Sequence, residues 1–250
     1  MHAYWTLVRR ELSGYFFSMT GYIIIAAAMF LLGFSFVTLL RQLQHEATPM
    51  PVTELFYSTW FFWLILLLTT PVITMRLFAL EKFSGTFETL MTTPVSDLQV
   101  VLAKFTAALV FYALMWLPLL GCVLVVRFYT NDPSAFDAGL LGSTFLGILL
   151  LGCLFVSLGC CASALTRSQV TAAVISLVLS ASLFLLGILA DQLPIHGSWE
   201  SQVLACFALF DQMHDCARGI VDTRLIVFCL SATLFFLFLT LRVVESRRWK

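Results

Sequence analysis

The chain has 250 residues, zero formal net charge, 60% hydrophobic residues and only 11% charged ones, against roughly 25% charged in an ordinary soluble domain. Zero net charge offers no electrostatic footprint for nucleic acid. The seven cysteines are odd in number, and Cys122, Cys153, Cys160, Cys161 and Cys229 sit inside apolar runs, as small packing residues do and a disulfide framework or zinc set does not.

In chain order, the first element is amphipathic. Tyr4, Trp5, Val8, Leu12, Tyr15 and Phe16 project onto one side of a helix, with Thr6, Arg9, Arg10 and Ser13 on the other. An aromatic, basic helix over residues 1–18 is expected to lie in the membrane interface; the alternative is packing on a soluble partner. Gly21 to Leu40 then runs without a charge. About twenty residues rise roughly 30 Å as a helix, the thickness of the bilayer hydrocarbon. The run has no polar face and exceeds the roughly 7–15 residues of a signal-peptide apolar region, so it is expected to be a retained span. No lipidation signature is expected to add an anchor.

Six runs qualify as spans: Thr20–Leu40, Leu55–Phe78, Leu98–Val126, Leu140–Leu165, Val170–Ala190 and Leu225–Leu241. The expected fold is an all-α membrane protein, a single domain over 1–250. An even number of spans puts both termini on one side. A cytoplasmic assignment places Arg9, Arg10, Arg76, Lys82, Lys104, Arg167, Arg242, Arg247, Arg248 and Lys250 inside, leaving Arg41, Arg127, Arg218 and Arg224 outside. The excess of positive charge selects that orientation.

Between the second and third spans, Phe83, Phe87, Leu90 and Met91 recur at helical spacing, with Glu88, Thr89 and Thr92 on other faces. Gly85 weakens the start of this short helix and Pro94 ends it. Ser96 and Gln99 form a capping-box pattern opening the third span. The apolar side of the short helix must dock on something. Phe87 and Leu90 share a face at i and i+3, so Phe87 is the expected apolar anchor and Glu88 a peripheral orienting charge. Pro71 and Pro118 lie inside spans and can kink them. Ser143 with Gly147, and Gly159 with Ser163, give the fourth span small-residue ridges for packing, expected within the chain. Thr69, Thr70 and Ser157 either face a polar path or satisfy their own helix backbone. Loops Arg41–Glu54, with Pro49 and Pro51, and Arg127–Asp137 are short. Across Asp191–Arg224, the apolar stretch Val203–Phe210 is too short to cross and reads as interfacial or re-entrant. His196, Asp211, His214, Asp215 and Cys216 match no standard metal spacing and read as a solvated loop. A Cys206–Cys216 bridge is a remote alternative.

The chain carries no G-x-x-x-x-G-K-[ST], G-x-S-x-G or H-E-x-x-H pattern. The centres of its spans hold no ionisable side chain, which ion-coupled transporters place there. Uphill transport would therefore draw its energy from another subunit.

The segment TMRLFALEKFSGTFETLMTTPVS, from Thr74 to Ser96, resembles the signature of ABC-2 type permeases. It looks closest to the branch of gliding-motility and multicopper-enzyme-maturation permeases. Ala217–Arg224 and the ending Leu241–Trp249 are also similar to that branch. The resemblance implies six helices per subunit, a homodimer or a pairing with a related permease, and separate P-loop ATPase subunits carrying ATP and Mg. It implies no catalytic residue, cofactor or metal in this chain. It makes the first helix a connecting helix and Gly85–Thr93 a coupling helix docking on the ATPase, with Glu81, Gly85, Thr86, Phe87, Glu88, Leu90 and Pro94 as coupling residues. Arg218, Gly219 and Asp222 are the implied external-loop signature. Leu80 and Phe83 depart from the acidic and basic residues frequent there. The rival readings are a membrane-embedded enzyme and a structural anchor of an envelope complex.

Overall fold

The computed structural model describes residues 2–45, 60–87, 95–130, 138–192 and 208–246. These residues form helices and no strand. In chain order the helices are α1 (His2–Phe16), α2 (Met19–His45), α3 (Trp60–Thr74), α4 (Ala79–Ser84), α5 (Asp97–Met115), α6 (Leu117–Thr130), α7 (Ala138–Leu165), α8 (Gln169–Gln192), α9 (Leu209–Ala217) and α10 (Thr223–Ser246).

Among the described residues six segments are long and apolar enough to cross a membrane: Met19–Arg41, Trp60–Ser84, Asp97–Val125, Gly139–Leu165, Gln169–Leu189 and Thr223–Ser246. Where the expected ends fall on described residues they agree to within a few residues, with two differences, and the expected start of the second span at Leu55 lies outside the described residues. The second runs on to Ser84 through a break, and the last extends five residues past Leu241. The chain is a multi-pass, all-α membrane protein.

The fourth span, α7, is the axis of the bundle. It packs against α3, α5, α8, α9 and α10 and touches α4, and 78% of its span is buried. The last span is the opposite case, at 17%, with Val227, Leu234, Phe235 and Phe238 facing outward. In lipid an apolar outer face carries no penalty, so burial here reports which helix holds the others together.

The small residues of α7 explain its role. A Cβ at Gly147 would lie 2.8 Å from the Met213 thioether of α9, and the Ser143 hydroxyl donates to the Cys216 carbonyl at 2.8 Å. Gly152 faces the Tyr112 ring of α5, and Gly159 faces Thr74 of α3. Both small-residue ridges thus serve contacts within the chain.

Pro71 stays inside a continuous α3. Pro118 stands in the first turn of α6, directly after α5 ends at Met115, where its missing N–H leaves no bond to lose. Thr69 and Thr70 donate to the carbonyls of Ile65 and Leu66 at 2.7 and 2.8 Å. Ser157 likewise bonds Leu154 at 2.8 Å. These hydroxyls satisfy their own helices instead of lining a polar path.

Candidate coupling site

α1 lies along α5 and sets one wall of the site. Val8 packs on Ala103 and Ala107, small residues that let the two helices approach. The Tyr4 hydroxyl donates to Thr106 Oγ1 at 3.0 Å. Tyr15 stacks on Phe111 with ring centroids 4.8 Å apart and donates to the Ile73 carbonyl at 2.8 Å. The outer side of α1 leaves Trp5 exposed, and Phe17 just beyond its end is exposed as well.

Against this wall stands a four-residue ion cluster. Lys104, only 2% exposed, lies 2.9 Å from Glu81 and 3.1 Å from Glu11. Arg10 reaches Glu11 at 2.8 Å and Glu81 at 3.1 Å. Two cations and two anions balance, which is what allows charges at this depth. The Lys104 ammonium also sits 5.4 Å from the centre of the Phe78 ring. Burial pushes the Glu11 carboxyl up, but the Lys104 ammonium and the Arg10 guanidinium outweigh it and hold Glu11 below the usual carboxylate range. The Arg10 guanidinium is pushed up, chiefly by its hydrogen bond to Glu11. Glu81 Oε1 takes both cations, while its Oε2 is buried without a hydrogen-bond partner. Glu81, on α4, is thereby tied to α1 and α5 at once.

Of the other expected coupling residues, Gly85 ends α4 in the left-handed region at φ 74°, with open space on the side where any other residue would carry its Cβ. The backbone angle, not crowding, is what favours glycine there. Thr86 is exposed and helical backbone resumes there. Phe87 corrects an expectation. It is buried at 8% exposure in its own chain, with the Lys82 ammonium 5.4 Å from its ring centre. The neighbouring Lys82 also reaches the Ala164 carbonyl. Phe87 therefore holds the segment to the bundle and does not point outward as an anchor. The outward aromatic is Phe83, 77% exposed. Glu88, Leu90 and Pro94 lie outside the described residues. The Ser96 hydroxyl caps α5 by accepting from the Gln99 N–H.

At the opposite face, α9 docks on α7 by burying Leu209, Met213, Cys216 and Ala217. Gly219, at φ 87°, closes that helix, and the Ile220 and Gly219 N–H groups bond back to Asp215 and Cys216. Asp222 accepts from the Arg224 N–H at 3.0 Å and so caps α10. The expected external signature is thus a stop and a start, with Arg218 exposed between them. Among the described residues no group of three His, Cys, Asp or Glu could hold a metal ion. Burial pushes the free Cys216 thiol up to about 11; Cys206 and His196 lie outside the described residues.

Sequence reasoning misses the ion cluster, because it counts Lys104 as one more positive charge on one side. The signal lies in its position: a lone cation inside an apolar run requires a partner, and Glu11 and Glu81 are the acids that meet it.

The described residues form a polytopic helical bundle with a charged seam at one face. A family model described as ABC-2 family transporter protein matches residues 40–198, and the chain belongs to that family, whose members are membrane permeases of ABC transporters. No curated protein matches the chain.

Proposed function

We propose that this chain is the membrane-spanning subunit of an ATP-driven transporter, with no catalytic centre of its own. A separate P-loop ATPase subunit would hydrolyse ATP with Mg and pass the motion to the segment from Glu81 to Pro94. Two copies, or one copy with a related permease, would form the path between them, since a single six-span bundle without polar span centres offers little room for one. The subunit would sit in the cytoplasmic (inner) membrane with both termini inside, as the charge asymmetry supports.

The observation that carries this reading is the ion cluster. It links Glu81, on the short helix leading into the docking segment, to α1 and α5. Motion of that segment is therefore felt by two further elements, and alternation between two states needs such a link. In this arrangement Phe87 positions the segment from beneath, Glu81, Gly85 and Thr86 lead into it, and Glu88, Leu90 and Pro94 are its further proposed coupling residues.

The test is purification from native membranes. A P-loop ATPase should copurify, and the reconstituted complex should transport only with hydrolysable nucleotide. Turnover of a substrate by the isolated chain would favour a membrane-embedded enzyme. A stable envelope complex without any ATPase would favour a structural anchor.

A further inference from the structure

The second span is not one helix. α3 ends at Thr74, the chain turns through Met75–Phe78, and α4 begins at Ala79. This corner is internal at its key points: Thr74, Phe78 and Ala79 are 0% exposed. Irregular backbone at such a place must have its polar groups satisfied by protein.

Backbone bonds supply part of that, from the Met75 and Leu77 N–H groups to the Pro71 and Thr74 carbonyls at 2.9 and 3.1 Å, and side chains from other helices supply a further part. The Ser163 hydroxyl, on α7, accepts from the N–H groups of Phe78 and Ala79 at 3.0 and 3.1 Å. It donates to the Met75 carbonyl at 3.3 Å. One donor and two acceptor sites are the whole capacity of a serine hydroxyl, and the corner uses all of it. Tyr15 of α1 satisfies the Ile73 carbonyl at 2.8 Å. Gly159, one turn before Ser163, admits Thr74 against the α7 backbone.

Two features make the corner a joint and not a fixed kink. Its fastening is a side-chain hydroxyl, which can let go without unwinding either helix. Beyond it α4 is six residues long and ends in the left-handed Gly85, with open space where a Cβ would stand. A short rigid piece between two breaks is a lever. α1 touches both arms of it: Tyr15 holds the α3 arm, and Arg10 holds the α4 arm through Glu81 at 3.1 Å.

We infer that Ser163 is the latch of a hinge in the second span, a positioning residue that holds α4 at the observed angle until motion of the docked partner releases the Phe78 and Ala79 amides. This rests on the coupling reading above.

The experiment uses the full permease–ATPase complex in nanodiscs, with hydrogen exchange resolved at the amides of Phe78 and Ala79. The resting complex is compared with the complex trapped by ATP and vanadate. Both amides should exchange slowly at rest and roughly tenfold faster when trapped, as loss of one hydrogen bond each implies. The amides of Leu66 to Thr70 in α3 should not change. In Ser163→Ala the two amides should exchange at the trapped rate already at rest, and ATP should be hydrolysed with less transport per turnover. Ser163→Cys, a weaker donor and acceptor, should fall between. Unchanged protection at both amides in a wild-type complex that hydrolyses ATP and transports would overturn the latch while leaving the coupling reading intact. So would a Ser163→Ala variant whose exchange rises throughout α3 and α7 alike, since that is lost packing. Absence of nucleotide-driven transport in the wild type overturns the coupling reading itself, and the latch with it.

Discussion

Lys104 shows how much one side chain can carry in this bundle. Its ammonium is 2% exposed and faces two carboxylates. Removing one member of such a cluster strands the others, a loss of about 3–5 kcal/mol for a buried pair. Lys104→Ala should therefore lower thermal stability in detergent sharply, whereas Lys104→Ala combined with Glu81→Gln should recover part of the loss. A double-mutant cycle on melting temperature measures this, and strict additivity would mean the two residues do not interact. Glu11 makes a pH prediction. Its carboxyl is held below the ordinary value of 4.5, so the folded state binds its proton less readily than the unfolded chain. The stabilisation is fully present above about pH 4.5 and is lost as the pH falls through the folded value. Glu11→Gln should flatten the acid limb of the melting curve, with Arg10, Lys104 and Glu81 left in place. At this scale the sequence is only partly readable. It points to Glu81, but hydropathy treats Lys104 and Glu11 as independent charges, and only the fold brings α1, α4 and α5 within ion-pair distance.

Among elements, α7 sets the tolerances. Gly147, Gly152 and Gly159 each face a neighbour, but the neighbours differ in how far they can yield. Met213 is an unbranched thioether that can swing aside. Tyr112 is a broad ring bonded to the Ile148 carbonyl at 3.3 Å, and Thr74 is a short side chain held to the Thr70 carbonyl at 2.8 Å. Gly147→Ala should thus be nearly neutral, while Gly152→Ala and Gly159→Ala should each cost about 1–3 kcal/mol by overpacking. Melting temperatures of the three variants check the ranking, and an equal loss at all three would refute it. The helices themselves are legible, since long apolar runs have few other uses. The corner at Met75–Phe78 is not. The sequence there holds neither Gly nor Pro, and the nearest proline, Pro71, leaves α3 unbroken. What permits the break is a hydroxyl 85 positions away, beyond the reach of any local pattern.

For the whole molecule, the six spans place α1 and the end of α10 on one face. If that face is cytoplasmic, Ile220→Cys, at a site 60% exposed on the other face, should react with an impermeant maleimide in intact cells. Arg167→Cys, at the turn between α7 and α8, should react only after permeabilisation. The reverse pattern would invert the topology. Burial is also uneven across the bundle, from 78% for the fourth span to 17% for the last. The outer faces of α2, α8 and α10 present large apolar side chains such as Phe30, Val170 and Leu234. Cross-linking in native membranes should trap a two-copy species, or one with a related permease, joined to the ATPase. A strictly monomeric chain still active in transport would exclude that assembly.

The corner of the second span also bears on how the chain is made. Synthesis runs from the N-terminus, so the first three spans leave the ribosome before Ser163 exists. During that interval the Phe78 and Ala79 amides lack the oxygen that later receives them, and an amide without a partner is costly wherever water does not reach it. A nascent chain halted after the third span should then linger at the insertion machinery or fall to membrane proteases. One extended through Leu165 should be released and become protease-resistant. The fourth span is, in that sense, the step at which the half-made protein becomes fit for lipid.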